Sequence, residues 1–269
     1  MFSVIGHQKQ KDFLQQLLDM KRYSHAYLFT GPSEIGKRTL AVEFASQLLE
    51  IKSGPDLIQI DAAALAIADM RELLSTLSLA PFTAAKKVVI IDNFERASRE
   101  VSNALLKTIE EPNPTTMIIL IAENYKALLP TVVSRTQRLH FAPLTDDEVH
   151  AALPDIPDVQ RLNGRIGRAL RMSTDPEYAQ RFDSALAQLS DIKRMPPAER
   201  LLAIKKLSDL ETEELAQTIH YWAEAEQATL PEHPNRYPNI VACAAALSGL
   251  RKNFNTKLVL QKIMLELIA

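Results

Sequence analysis

HAYLFTGPSEIGKRTLAVEFASQLL, residues 25–49, carries the pattern on which the fold turns. Its first seven residues, HAYLFTG, read as a short buried strand, and residues 37–49 place apolar side chains at helical spacing. Gly31-Pro32-Ser33-Glu34-Ile35-Gly36-Lys37 joins the two. A turn of this kind can hold phosphate. Backbone N–H groups and the helix amino terminus face the anion, glycines let the backbone approach, and the lysine reaches the outer phosphates. The alternative is an ordinary strand-to-helix turn, and the rest of the chain weighs against it.

Upstream, residues 8–20 set Phe13, Leu14, Leu17, Leu18 and Met20 on one helical face. Downstream the periodicity alternates: strand 56–60, helix 67–79, strand 87–91, helix 97–109, strand 117–122, a short helix at 127–133 and strand 137–141. Strict alternation implies an α/β fold whose parallel sheet is covered on both faces. From Pro143 no comparable strand follows. Thr145 and Glu148 form a capping-box pattern, residues 159–172 read as a helix interrupted by Gly164 and Gly167, and residues 201–210, 211–230 and 240–269 are helical. PEHPNRYP, residues 231–238, is the one obvious long loop. The expected organisation is a nucleotide-binding core at 1–142, a small helical lid at 143–190 and an all-helical domain at 191–269.

Composition excludes several classes. The chain has 269 residues, a formal net charge of -2, one cysteine and seven glycines, where the usual frequency would give about nineteen glycines. Four of the seven form the pairs Gly31/Gly36 and Gly164/Gly167, which suggests backbone tasks. A lone Cys243 allows neither an internal disulfide nor a four-cysteine zinc site. MFSVIGHQKQKDF at the amino terminus has no uninterrupted apolar stretch, so neither a signal peptide nor a membrane span is expected, and the expected location is cytoplasmic. Near-neutral charge argues against strong autonomous binding to nucleic acid.

The side chains around the loop are less complete than its backbone. Magnesium coordination calls for a Ser or Thr hydroxyl directly after Lys37, and Arg38 stands there. Thr39 has a hydroxyl, but one step along a helix rotates a side chain by about 100°. Asp92, closing the apolar run Val88-Val89-Ile90-Ile91, sits where a magnesium-associated carboxylate belongs. Asn93 follows it, and an amide has no protonation equilibrium near neutrality with which to act as a general base. Glu95 is acidic but two residues displaced.

Three runs then resemble one family: His25 to Pro32, Asn103-Ala104-Leu105-Leu106-Lys107-Thr108-Ile109-Glu110-Glu111-Pro112, and Leu129-Pro130-Thr131-Val132-Val133-Ser134-Arg135. They are similar to the AAA+ clamp-loader subunits of bacterial DNA polymerase III, over residues 1–170 and weakly in the tail through 255–260. The likeness is greatest to the subunit that does not turn over ATP. It implies an AAA+ core, a lid and a helical collar, in a subunit that supports ATP-dependent clamp loading without hydrolysis of its own. An active ATPase motor subunit of the gamma/tau kind is the alternative.

By the same resemblance, Arg135 in Ser134-Arg135-Thr136 reaches across a subunit interface to a neighbour's ATP, where a guanidinium stabilises charge on the transferring phosphoryl group. A surface arginine at a helix end is the plainer reading. Gly164-Arg165-Ile166-Gly167-Arg168 resembles the lid segment whose arginine senses phosphate, with Arg168 the better match. Gly31, Gly36, Lys37, Arg38, Thr39, Asp92 and Arg168 are therefore the expected nucleotide positions, for ATP or ADP with or without Mg2+, and no zinc is expected. Implied partners are the gamma/tau and delta subunits, and through them the sliding clamp and primer-template DNA. Asn124 lies near the polar sensor position but is better read as a loop cap. His7 and His25 read as structural, Cys243 as a buried small residue, and Leu258, Leu260, Ile263, Met264 and Leu267 as core or subunit packing. Lys86, Lys87, Arg96 and Arg99 read as a solvated basic cluster.

Overall fold

Strands whose residues are apolar on both faces can only be satisfied by a sheet sandwiched between helices, and that is what the computed structural model of the chain contains. It describes residues 2–154, 156 and 159–268. The first compact unit ends at Ala169 and the second begins at Leu170. In the first, α1 (Gln8–Met20), β1 (Ala26–Thr30), α2 (Lys37–Leu49), β2 (Leu57–Asp61), α3 (Ile67–Ser78), β3 (Lys87–Asp92), α4 (Arg99–Glu110), β4 (Thr116–Ala122), α5 (Pro130–Val133) and β5 (Gln137–His140) follow one another. The sheet is parallel throughout, in the order β2-β3-β4-β1-β5.

Alternate residues of each strand feed two cores, as the period of two requires. Tyr27, Phe29, Val88, Ile90, Met117, Ile119 and Ile121 pack with Leu40 and Phe44 of α2 on one face. Leu28, Val89, Ile91, Ile118 and Leu120 pack with Met70 and Leu73 of α3 and Val101 and Leu105 of α4 on the other. The carboxyl ends of β1, β3 and β4 converge on the turn into α2, where an open parallel sheet places its ligands.

Thr145 caps α6 (Asp146–Ala152): its side chain accepts the Glu148 N–H while the Glu148 carboxylate accepts that of Thr145, as the pattern predicted. A 3-10 turn at Val159–Leu162 precedes α7 (Ile166–Thr174). The break between them is at Asn163 and Gly164, both with positive φ. Gly167, expected as a second interruption, lies inside α7.

The second unit is helical: α8 (Pro176–Arg194), α9 (Pro197–Ser208), α10 (Thr212–Thr229), α11 (Tyr237–Arg251) and α12 (Thr256–Glu266). Tyr178, Phe182, Ala185, Leu189 and Ile192 of α8 share one core with Trp222 of α10 and Leu260 of α12. The helix covering the end of the expected lid, α8, thus packs with the carboxyl-terminal helices, while residues 143–169 stay with the sheet. The single helix expected over 240–269 is two. Asn253 takes a left-handed φ of 55°, and the Asn255 side chain accepts the Leu258 N–H at 3.2 Å to start α12, so the chain stops and restarts across four residues.

Candidate functional site: a phosphate loop and an exposed arginine

The turn from β1 into α2 surrounds a cavity of about 230 Å³ whose wall includes Glu34, Gly36, Lys37, Arg38, Thr39, Asp92, Asn93, Glu123 and Gly167. Gly31 is obligatory at its base: φ is 146°, and a Cβ there would lie 2.1 Å from the Phe141 carbonyl oxygen. Lys37 is 6% exposed, and its Nζ donates to the carbonyls of Gly31 (2.6 Å) and Pro32. Burial pulls its pKa down to about 8, against the carboxylates of Glu123, Asp92 and Glu95, which push it up. A phosphate arriving here would meet a cation that has already lost its water.

The metal side is different. The Arg38 guanidinium Nε lies 3.8 Å from Asp92 Oδ2 and its Nη2 donates to Gln59 Oε1 at 3.4 Å. A cation thus stands beside the carboxylate that magnesium would use, on a side chain that is 61% exposed, and Asp92 also accepts the Asn93 N–H at 2.9 Å. The Asn93 amide turns away to donate to Asp61 Oδ1 at 3.1 Å. The donors at the loop suit phosphate, whereas Arg38 would have to leave Asp92 for magnesium to use that carboxylate. Thr39, expected to point away, nevertheless contributes to the cavity wall. Glu95 reaches the site despite its displacement: its carboxylate accepts the Glu123 N–H at 3.3 Å, and burial holds its carboxyl above the usual range.

Both lid arginines reach the phosphate loop. Arg165 Nη1 donates to the Ser33 carbonyl at 3.0 Å and to its hydroxyl at 2.6 Å. Arg168, 1% exposed, donates through Nε and Nη2 to Glu34 Oε2 at 2.9 and 2.7 Å. Both arginines are buried. Arg135 contrasts with both. Its side chain is 39% exposed, pairs with Glu110 at 2.9 Å and donates to the Thr131 carbonyl at 3.2 Å.

Residues 49–145 match the family described as DNA polymerase III, delta subunit. The tau subunit of DNA polymerase III from Bacillus subtilis is 30% identical over 243 residues, 81% of this chain and 43% of that one. The delta prime subunit of the same organism is 30% identical over 194 residues, 62% of this chain and 59% of that one. The chain is thus similar to subunits of the bacterial DNA polymerase III clamp loader. It spans about half the length of these relatives. Among solved structures, a DNA polymerase III gamma subunit-related protein of Thermotoga maritima covers 93% of this chain and 97% of its own, with 19% identity and a TM-score of 0.53. That likeness concerns the α/β fold alone.

Other candidates resolve into structural duties. Asn124 is a cap, accepting the Lys126 N–H at 2.9 Å. His7 hydrogen-bonds the Ile35 carbonyl at 2.6 Å and lies edge-on to Phe141 at 5.1 Å. The basic cluster does not assemble: Lys87 at the start of β3 is buried and donates to the Thr76 carbonyl at 2.7 Å, whereas Arg96 lies beyond the strand's other end, about 20 Å along the sheet. Cys243 is buried, its thiol pushed up to about 12 by burial and then by Glu226. Leu260, Ile263, Met264 and Leu267 are core, but Leu258 is 64% exposed. Two contributors lay beyond the expected set, Glu34 and Glu123. An acidic residue inside a phosphate loop was the available signal for the first.

Proposed function

We propose that this chain is a delta prime-type stator of a sliding-clamp loader: it takes its place beside gamma/tau and delta subunits, hydrolyses no ATP itself and offers Arg135 to a neighbour's nucleotide. The observation that carries this reading is the pairing of Arg38 with Asp92 at 3.8 Å. It installs a protein cation where a metal would act, beside an Asn93 that cannot activate water. Arg135, meanwhile, is held at the surface by an exposed ion pair, a class worth about 0–1 kcal/mol, so releasing it towards a partner costs little. ATP or ADP would rest on Lys37 and the amino terminus of α2. Loading of the clamp onto primed DNA would follow ATP in the neighbouring subunits.

One observation favours the alternative, an active gamma/tau-like motor: Glu95 brings a carboxylate with a raised pKa to the loop. ATP turnover by the purified chain separates the two. The stator reading expects no turnover above background, with or without magnesium. Turnover at a motor's rate, lost in Lys37→Ala and in Glu95→Gln, overturns it.

A further inference from the structure

Glu34 is unusual in three respects at once. It belongs to the phosphate loop and lines its cavity, its backbone has φ 60°, a conformation a side-chain-bearing residue adopts at a cost, and its carboxylate Oε2 takes both Nε and Nη2 of Arg168, at 2.9 and 2.7 Å. The Arg168 side chain is 1% exposed and that of Glu34 26%, so the guanidinium is shielded from solvent and would be costly to leave without an anion, while the carboxylate faces the cavity side. The backbone makes the same link. Gly167 N–H donates to the Glu34 carbonyl at 2.7 Å, and a Cβ at Gly167 would lie 2.7 Å from that oxygen. The cavity left in front is about 230 Å³, below the roughly 300–1,000 Å³ of small-molecule sites.

We infer that Glu34 is a built-in anion that holds Arg168 in place of a nucleotide phosphate, and so sets both the affinity and the nucleotide preference of this loop. The inference rests on the reading of the loop as a nucleotide site. With Glu34 in place, an incoming polyphosphate meets Lys37 and the α2 amino terminus but must displace a carboxylate to use Arg168. It also meets that carboxylate's own negative charge. Repulsion grows with ligand charge, so the native chain discriminates against triphosphate relative to diphosphate. Removing the carboxylate relieves the repulsion and releases a cation to the ligand.

The test is the binding of fluorescent ATP and ADP analogues, without magnesium, to the full chain and to Glu34→Gln, Glu34→Gly, Arg168→Ala, Lys37→Ala and the double variant Glu34→Gln/Arg168→Ala, each checked for folding by thermal melting. Glu34→Gly suits the left-handed backbone and serves if the glutamine variant melts early. The expected result is a gain of at least fivefold in ATP affinity in Glu34→Gln or Glu34→Gly, with a smaller gain for ADP. Introducing Glu34→Gln into Arg168→Ala should yield less than half of that gain. Unchanged or weaker ATP affinity in both Glu34 variants, with binding still lost in Lys37→Ala, overturns the inference and leaves the site reading standing. Binding that is indifferent to Lys37→Ala overturns the site reading itself. A gain undiminished by Arg168→Ala also contradicts the proposal, because the arginine would then play no part.

Discussion

The phosphate loop and the Ser134–Arg135 turn both carry cations of the kind that handle phosphate, and they present them in opposite ways. Lys37, Arg165 and Arg168 are 6%, 8% and 1% exposed, and each donates to the loop itself. Arg135 is 39% exposed and leans on a glutamate that is more exposed still. Cations folded into their own loop serve what comes to them only after rearrangement. A cation resting on the surface can be handed outward. On the proposed reading, that difference suits a subunit that serves another's nucleotide more readily than its own.

The largest effect that would sharpen this contrast is at Lys37. Lys37→Ala should weaken nucleotide binding by about 30-fold or more, the equivalent of about 2 kcal/mol for truncating a buried charge pair, as measured by titration. A similar energy should appear in a region without a binding task. The Asp56 carboxylate accepts the N–H groups of Phe82, Thr83 and Ala84 at 2.7, 2.7 and 2.9 Å. Burial raises its pKa, but those bonds and the Thr83 hydroxyl outweigh it and leave a value of about 2. Asp56→Ala should cost about 2 kcal/mol in denaturant unfolding, without touching nucleotide affinity. A carboxyl depressed on folding contributes stability above its unfolded pKa and loses it as pH falls through the folded one. The native chain should therefore shed this contribution between about pH 4 and pH 2, and Asp56→Ala should not.

A smaller effect concerns pH at the loop. Only protonated Lys37 attracts phosphate, and its folded pKa is about 8. Nucleotide affinity should fall about tenfold between pH 7 and pH 9; a flat profile over that range would break the picture of a desolvated lysine. The smallest effect is on Arg135: its substitution by alanine should move folding stability by no more than about 0.5 kcal/mol. A large loss of stability would make Arg135 a structural residue and erase the contrast.

Much of this was legible along the chain. Residues 37–49 form a helix with the bounds that apolar spacing predicted, because nothing from elsewhere competes with local pattern there. The alternation of strands and helices likewise forced a parallel sheet. What stayed hidden depends on residues far apart in sequence. Glu34 and Arg168 are 134 positions apart, and no periodicity links them. Lys86, Lys87, Arg96 and Arg99 are neighbours in sequence, but β3 runs between them and sends the members to opposite ends of the sheet. The break at Asn253 and Asn255 was written in residue types that favour left-handed turns and helix caps. The apolar spacing of 240–269 masked it, since α11 and α12 both supply residues to one core.

The central claim is that this chain gives an arginine and cuts no ATP. It is tested most directly by DNA-stimulated ATPase of a loader reconstituted with either the Arg135→Ala or the Lys37→Ala form of this subunit. A fall of at least tenfold with Arg135→Ala, with Lys37→Ala leaving the rate unchanged, is the predicted result. An unchanged rate with Arg135→Ala, or a loss confined to Lys37→Ala, would contradict it.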